Sequence, residues 1–397
     1  MRPSADWDRV VAKFRRRYEE FFGPPGGPVF AVRGPDGAEQ IIGKGQPVFT
    51  IVAGDQRSLA ALDTLDGLVI AECYLNGALD VEGSFETLLS CRNLFADTHP
   101  IVTAWHLFAP KLRGQERSDA EYIAQHYDTE ADFFLTFLDQ RHRCYSQGVF
   151  ERDDESLDDA MTRKLDFALA SIGVKPDDRV LDVGGGWGAF TEYAGKKGVR
   201  VTSLTISRES EKFLNDLIQR ERLPCEVKYQ HLHEHRPDAP YDAIVILGVT
   251  EHLPDYDKSL AQYQTLLKPG GKVYLDASAK RKKGDISSFL RKHIFPGNGS
   301  PMCLHDYLRA VSESPFQLEV VHDDRHSYGL TVKRWAERLD AARGEIERRW
   351  GRAQYRKFRL YLWGCYDSFT RDDVQAYRVV LKLPAEGEGR RYIDPYA

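Results

Sequence analysis

A glycine-rich turn is the feature of this sequence best suited to holding a small molecule. The segment "RVLDVGGGWGAF" passes from an apolar strand pattern through Asp182-x-Gly184-x-Gly186-x-Gly188 into a helix pattern. Glycines at such a turn let the main chain approach a ligand closely. A dinucleotide-binding turn has the spacing G-x-G-x-x-G, whereas the third glycine here comes one residue early. The following strand pattern ends in "LTIS", which offers no carboxylate for a ribose hydroxyl. A dinucleotide is therefore not the expected ligand.

The same spacing resembles the D/E-x-G-x-G-x-G turn of class I S-adenosylmethionine methyltransferases. In that class the glycines let the backbone approach the amino-acid part of the cofactor. The acid, here Asp182, orients backbone amides or accepts a hydrogen bond from the ammonium of the cofactor, directly or through water. A second feature of the class is the turn "LLKPGG", residues 266–271. The resemblance implies S-adenosylmethionine as the cofactor.

Strands that alternate with amphipathic helices position this turn. A helix is predicted from Ser156, with Asp159 as its capping-box partner, to Gly173. This alternation is typical of a doubly wound α/β fold, and we predict a mostly parallel, seven-stranded, Rossmann-like sheet. The strands are predicted at residues 179–183, 199–205, 225–229, 241–248, 272–277, 316–322 and 376–383.

Composition limits the function classes. The chain has 397 residues and a net charge of -5, which suggests two units and gives no whole-chain argument for nucleic acid. Its six cysteines are scattered without a CxxC pair, as expected in a reducing cytosol. The sequence shows no signal peptide and no apolar run that would span a bilayer, so we expect a soluble cytoplasmic protein. "HLHEH", residues 231–235, lacks an accompanying ligand at metal spacing, and we predict no metal site.

From residue 120 onward the chain resembles the cyclopropane fatty acid synthases. The motifs that carry the resemblance come in that family's order: "QHYDTEADFFLTFLD", "CYSQGVFE", "VLDVGGGWGAF", "VTSLTISRES", "GVTEHL", "LLKPGG" and "HIFPG". The tail "YRKFRLYLWGCYDSF" is similar to the family's C-terminal helix, and "ECYLNGALDVEG" to its small lipid-associated domain. The resemblance implies a smaller N-terminal α+β domain at residues 1–110, a linker at 111–122 and a methyltransferase domain at 123–397. A helical lid is expected at about residues 280–370.

The family implies C-methylation of unsaturated acyl chains in phospholipids. The alkene takes the sulfonium methyl group, a carbocation forms, and a base removes a proton to give a cyclopropane. Carried over by position, the cofactor-binding residues are Tyr145, Ser146, Asp182, Gly184, Gly186, Gly188, Thr205, Ile206 and Leu247. The catalytic residues are Glu251, His252, Tyr328, Asp276 and Gln147, of which His252 either acts itself or only orients its neighbour. His231 is an expected neighbour of the adenine.

Three positions depart from the family pattern. Gln147 stands where the family has Cys, Asp276 where it has His, and Ser278 where it has Ile. In the family, that Cys and that His help to surround a bound bicarbonate, which is thought to act as the base. A carboxylate at residue 276 repels such an anion, so the use of bicarbonate is doubtful here. Glu251 and Asp276 follow adjacent strand ends, and we expect one of them to have a raised pKa and to be a built-in base. A capping or salt-bridge role for Asp276 and a backbone hydrogen bond for Gln147 are the alternatives.

The expected partner is an unsaturated phospholipid or fatty acyl chain, reached by peripheral contact with the inner membrane face. The basic segment "KRKKGDISSFLRKH", residues 280–293, is either a solvated face or a contact for anionic headgroups. We also expect a homodimer and a reductase partner that completes a methylene product. We do not expect nucleic acid as a partner. Two other functions stay open, namely N- or O-methylation of a small molecule and a catalytically altered lipid-binding subunit. A hydride shift before proton loss would give a methyl or methylene branch in place of a ring.

Overall fold

The computed structural model describes residues 5–96, 130–283, 285–295 and 300–385. These residues form two compact units. The first contains residues 5–96, 286–295 and 335–368, and the second contains residues 130–283, 285, 300–334 and 369–385. The stretch 280–370, which was expected to form a lid, therefore contributes to both units. The predicted linker and Pro296 and Gly297 of the "HIFPG" motif lie outside the described residues.

The first unit contains a four-stranded sheet with the order β2-β1-β3-β4. Its strands are β1 (Phe30–Arg33), β2 (Glu39–Ile42), β3 (Phe49–Ala53) and β4 (Leu79–Gly83), and its first helices are α1 (Ala5–Phe22), α2 (Gln56–Thr64), α3 (Gly67–Asn76) and α4 (Phe85–Ser90). The Asp66 carboxylate caps α3 by accepting from the Leu68 and Val69 N–H groups, and Gly77 ends it at a positive φ of 86°. Residues 67–83 thus form α3, the Gly77 turn and β4.

The second unit is built on a seven-stranded sheet with the order β10-β11-β9-β8-β5-β6-β7. Its strands are β5 (Arg179–Val183), β6 (Arg200–Thr205), β7 (Glu226–Tyr229), β8 (Tyr241–Leu247), β9 (Leu267–Ala279), β10 (Gln317–Asp323) and β11 (Gln375–Lys382). Neighbours from β9 to β7 are parallel, whereas β11 pairs antiparallel with both β9 and β10. The predicted seven-stranded, mostly parallel sheet is confirmed.

The remaining helices and short helical turns belong to both units. The helices are α5 (Ala131–Leu135), α6 (Leu157–Ile172), α7 (Ala189–Gly195), α8 (Arg208–Glu221), α9 (Tyr256–Leu266), α10 (Leu304–Glu313), α11 (Arg325–Ala341), α12 (Arg343–Trp350) and α13 (Arg352–Thr370). Turns of 3-10 helix lie at Arg92–Leu94, Leu232–Glu234 and Thr250–His252, and a π-helical turn lies at Leu290–Ile294. As predicted, the Ser156 hydroxyl accepts from the Asp159 N–H at the start of α6, and Gly173 ends that helix.

The order of the strands creates one place in the second sheet for a ligand. β5 lies between β6, which follows it in the chain, and β8, which comes later. In an open α/β sheet, a crevice forms beyond the carboxyl ends of the strands at the point where the order reverses. Buried apolar residues of β8 and β9, among them Ile244, Ile246 and Leu275, pack against Leu260 and Tyr263 of α9. This packing leaves the carboxyl ends of β5, β6 and β8 as the open edge.

Candidate active site

A cavity lies at the carboxyl ends of β5, β6 and β8. Eight of the nine predicted cofactor residues line it: Tyr145, Ser146, Asp182, Gly184, Gly186, Thr205, Ile206 and Leu247. The predicted catalytic residue His252 and the predicted adenine neighbour His231 also contribute to the lining. Gly188 does not. The sequence motifs therefore converge on one concave site within the second unit.

The three motif glycines serve different purposes. A Cβ on Gly184 would lie 2.4 Å from Val249 Cγ2, and a Cβ on Gly188 would lie 2.3 Å from Leu217 Cδ2. These two glycines are therefore needed for close packing of the turn. A Cβ on Gly186 would meet only the Gly184 carbonyl oxygen, at 3.8 Å, and Gly186 has a positive φ of 50°. Gly186 is thus the glycine that leaves room in the cavity, and the cradle above it suits a ligand that lies against the main chain.

Among the described residues, two hydroxyl groups hold Asp182. Its Oδ2 accepts hydrogen bonds from Thr191 Oγ1 at 3.0 Å and from Ser203 Oγ at 3.2 Å. Burial raises the pKa of Asp182 to about 6, although both hydroxyls and the charge of Lys164 oppose this rise. Of the two roles expected for Asp182, the described residues show no hydrogen bond to a backbone amide, and a contact with the ammonium of a cofactor stays a prediction.

Residues that the sequence analysis did not single out hold the glycine turn in place. Arg143 forms an ion pair with Glu192 on α7 and donates from Nε to the Trp187 carbonyl at 3.1 Å. Ser210 donates from Oγ to the Gly186 carbonyl at 2.7 Å. Arg143, Trp187 and Ser210 all line the cavity. The spacing of the glycine turn does not mark Arg143 and Ser210, because both act on the turn from other parts of the chain.

Glu251 lies in the 3-10 turn after β8 and, like Asp276, is not among the residues that line the cavity. Its Oε1 accepts two hydrogen bonds from Ser278, one from N at 2.7 Å and one from Oγ at 2.9 Å. Its Oε2 is buried and has no hydrogen-bond partner among the described residues. Burial raises the pKa of Glu251 to about 7, and the negative charge of Asp276 adds to this rise. A carboxylate with one hydrogen-bonded oxygen, one oxygen without a described partner and a pKa near neutrality suits a general base.

His252 lines the cavity beside Glu251. Burial lowers the pKa of His252 to about 4, so the imidazole is neutral at physiological pH. It therefore supplies no positive charge that would balance a carboxylate or an anion in the site.

Asp276 forms a buried ion pair with a lysine. Its Oδ2 lies 3.4 Å from Lys164 Nζ, and both side chains are at most 1% exposed. Burial raises the pKa of Asp276 above its ordinary range, and the ammonium of Lys164 opposes this rise. Lys164 also donates to Ser146 Oγ and lines the cavity. The salt-bridge alternative for Asp276 is therefore realised, and the ion pair connects Asp276 to a cofactor-site residue.

Gln147 belongs to a second buried network, outside the cavity lining. Its Nε2 donates to Asp324 Oδ2 at 2.6 Å, so its partner is a side chain and not the backbone. Asp324 also accepts from Arg378 Nη2 at 2.9 Å and from Arg378 Nε. The Asp324 carbonyl accepts from the Tyr328 N–H at 2.8 Å, and the Tyr328 ring stacks on Phe369 with centroids 4.6 Å apart. Asp324 thus connects Gln147 to Tyr328, although neither residue lines the cavity.

The buried charges in these networks pair with one another. Lys164 faces Asp276, and Arg378 faces Asp324. Among the described residues, Glu251, like Asp182, accepts hydrogen bonds from neutral donors. Each of the three residues that depart from the family pattern therefore makes a polar contact with another described side chain. These contacts are Gln147 with Asp324, Asp276 with Lys164, and Ser278 with Glu251. Lys164 carried a sequence signal, because it occupies the position i+3 from Met161 and i–4 from Ala168 on the apolar face of α6.

His235 of "HLHEH" and several side chains of the basic segment, residues 280–293, make contacts within the protein. The His235 ring contacts Gln230 Oε1 and the Tyr241 hydroxyl, each at 2.9 Å. In the basic segment, Lys280 pairs with Asp285 and Arg281 with Asp372. Lys283 donates to the Pro254 carbonyl and lies 4.0 Å from the Tyr256 ring centroid. Lys280, Arg281 and Lys283 of the segment therefore already contact other residues of the protein.

The fold and the cavity define a class I methyltransferase dependent on S-adenosylmethionine. The residues 114–379 match the profile of the mycolic acid cyclopropane synthetase family. The chain belongs to this family. It is 25% identical to the sphingolipid C9-methyltransferase of Candida albicans over 79% of this chain and 68% of that protein. It is 30% identical to the cyclopropane-fatty-acyl-phospholipid synthase of Escherichia coli K12 over 66% of this chain and 68% of that protein.

A solved structure supports the same assignment. A mycolic acid cyclopropane synthase, crystallised in complex with SAH and CTAB, is 27% identical to this chain and superposes with a TM-score of 0.61. The match covers 66% of this chain and 98% of the other. The cofactor of the family, S-adenosylmethionine, fits the cradle above Gly186. Among the described residues, no helix is both long and apolar enough to cross a membrane.

Proposed function

We propose that this protein methylates the double bond of an unsaturated acyl chain in a lipid, with Glu251 as the general base. The single observation that carries the proposal is the Glu251 carboxylate, whose Oε2 is buried without a hydrogen-bond partner among the described residues. Glu251 does not line the cavity itself, but Val249 and His252 of the same turn do. The names of the relatives support the lipid substrate, since they include methyltransferases and synthases of sphingolipids and fatty acyl phospholipids.

Bound S-adenosylmethionine supplies an electrophilic methyl group, and its addition to the double bond leaves a carbocation on the acyl chain. Glu251 Oε2 then accepts a proton from the cationic product. If the proton leaves the new methyl group, the electron pair of that C–H bond closes a cyclopropane ring. If a hydride shifts first, loss of a proton from the methyl group leaves a methylene branch. Loss of a proton from the chain instead leaves a methyl branch with a retained double bond.

We also propose that bicarbonate is not needed as the base. A bicarbonate anion near Glu251 would face the negative charges of Glu251 and Asp276. Among the described residues of the second unit, the buried cations Lys164 and Arg378 are already paired with carboxylates. His252 is neutral because its pKa is lowered to about 4. A built-in carboxylate with a pKa of about 7 can take the proton itself.

The test is mass spectrometry of acyl chains after incubation with monounsaturated phospholipid vesicles and S-adenosylmethionine carrying a trideuterated methyl group. We expect a one-carbon gain that loses a deuterium for a ring or methylene branch and retains all three for a methyl branch. Glu251→Gln should abolish the gain, whereas the exposed control Glu313→Gln should not change it. Added bicarbonate should not stimulate turnover. Strong stimulation, or full activity of Glu251→Gln, would contradict the role of Glu251.

Two alternatives have distinct results in the same experiment. No acyl product, with S-adenosylhomocysteine still bound in calorimetry, would favour a small-molecule acceptor or a missing partner. No product and no binding of S-adenosylhomocysteine would favour a lipid-binding subunit. A reductase partner is needed only if a methylene branch is the product, because reduction would then complete a methyl branch.

A further inference from the structure

Lys164 is a buried cation at the side of the cofactor cavity. Its side chain is 0% exposed, and it reaches the cavity from the middle of α6. An isolated ammonium is very costly to bury, so the residues around it must compensate its charge. Ser146 Oγ accepts a hydrogen bond from Lys164 Nζ, and the Asp276 carboxylate supplies the opposite charge. One side chain thus contacts both a residue of the cofactor cavity and a residue of the carboxylate cluster.

Other ionisable groups face this ion pair from each neighbouring element. They are Cys144 before α6, Asp182 on β5, Tyr274 on β9, Asp324 before α11 and Arg378 on β11. Arg378 lies directly opposite Asp276 in the pairing of β11 with β9, but its guanidinium is engaged by Asp324. The neighbours of Glu251 are Asp276, His252 and Tyr256. Lys164 is therefore the cation paired with Asp276.

We propose that Lys164 is a positioning residue of the methyl-transfer reaction, which holds the Ser146 hydroxyl at the cofactor cavity and keeps Asp276 ionised near Glu251. The catalytic consequence rests on the proposed role of Glu251 as the base. Lys164 acts through Ser146 and Asp276, and it takes no proton from the substrate itself.

The proposal predicts how substitutions combine. The negative charge of Asp276 helps to raise the pKa of Glu251. Asp276→Asn removes that charge directly, so the pKa of Glu251 falls. Lys164→Met removes the ammonium that opposes protonation of Asp276, so the buried carboxyl takes up a proton and the same repulsion is lost. The double variant should therefore lower the pKa of Glu251 no further than either single variant does.

The experiment is a pH titration of protein labelled with ¹³C at the glutamate carboxyl carbon, with Glu251 assigned by the signal missing from Glu251→Gln. We expect equal downward shifts in Lys164→Met, Asp276→Asn and the double variant, and a wild-type value in Lys164→Arg, which keeps the cation. If Lys164→Met does not fold, the neutral double variant and Asp276→Asn still give the comparison. An unchanged Glu251 titration in these variants, or additive shifts, would overturn the proposal.

Calorimetry with S-adenosylhomocysteine tests the other contact of Lys164. Lys164→Met should weaken binding about five-fold, the equivalent of one hydrogen bond, because Ser146 loses its donor. Asp276→Asn keeps the contact between Lys164 and Ser146 and should bind with wild-type affinity. Equal weakening in both variants would contradict this role. These readouts need no substrate, so a wild-type protein that makes no acyl product would refute the proposed function while the test of Lys164 stands.

Discussion

Glu251→Gln offers a test in which the stability and activity of the protein move in opposite directions. The amide oxygen can still accept from Ser278 N and Oγ, and no described residue donates to the position of Oε2. The pKa of Glu251 is raised from 4.5 to about 7, mainly by burial. A raised carboxyl pKa means that the folded protein holds a proton that the unfolded chain has released. Stability contributed by this group therefore falls as the pH rises between these two values.

The difference of about 2.5 pKa units, from 4.5 to about 7, corresponds to about 3 kcal/mol at 1.36 kcal/mol per unit. Gln does not ionise, so Glu251→Gln avoids the free-energy cost of a buried carboxylate. Its free energy of unfolding should match that of the wild type below about pH 4.5. It should exceed the wild type by up to about 3 kcal/mol above about pH 8. Loss of the base should at the same time lower turnover on the order of 10²- to 10⁴-fold. Urea unfolding followed by Trp fluorescence over this pH range measures the first effect.

Glu155→Gln is the matched control, because the same substitution should have the opposite effect. Arg163 holds the pKa of Glu155 below its ordinary value through an ion pair at 2.8 Å. The stability that this pair contributes is present above the unfolded-state pKa and is lost as the pH falls through the folded-state pKa. Glu155→Gln should therefore destabilise the protein at neutral pH and have less effect in acid. If Glu251→Gln shows no pH-dependent gain in stability, Glu251 does not have a raised pKa and the argument for the base fails.

Two further predictions concern the glycine turn and the membrane. Gly186→Ala should weaken S-adenosylhomocysteine binding in calorimetry more than it lowers the melting temperature, whereas Gly188→Ala should mainly lower the melting temperature, since its Cβ would lie 2.3 Å from Leu217 Cδ2. Equal losses of affinity and stability in both variants would contradict this division. A variant that combines Lys282→Glu with Lys283→Glu should sediment less with anionic vesicles. Each basic residue near such a surface contributes about 1 kcal/mol to membrane binding. Unchanged sedimentation would exclude the basic segment as the contact, and Lys283→Met alone controls for the loss of its contact with Tyr256.

Local sequence was sufficient to predict the large sheet and most of the cofactor cavity. Strand patterns and the glycine turn are local signals, and parallel strands bring their carboxyl ends to one edge whatever the loops between them contain. Eight of the nine cofactor residues that the family resemblance implied line the cavity, and those at the ends of β5, β6 and β8 do so for this reason. Gly188 is the exception, because its need for glycine comes from Leu217 on another element, which a motif cannot show.

The buried charges are a different case, since they depend on residues far apart in the chain. Lys164 meets Asp276, and Asp324 joins Gln147 to Arg378, across separations that no spacing rule covers. The sequence by itself determined which residue types stand at the departing positions 147, 276 and 278. Only the tertiary structure decided that Asp276 is paired with a cation and that Glu251 is not, because a pKa depends on the distance to the nearest charge and on burial, and both are properties of the folded chain.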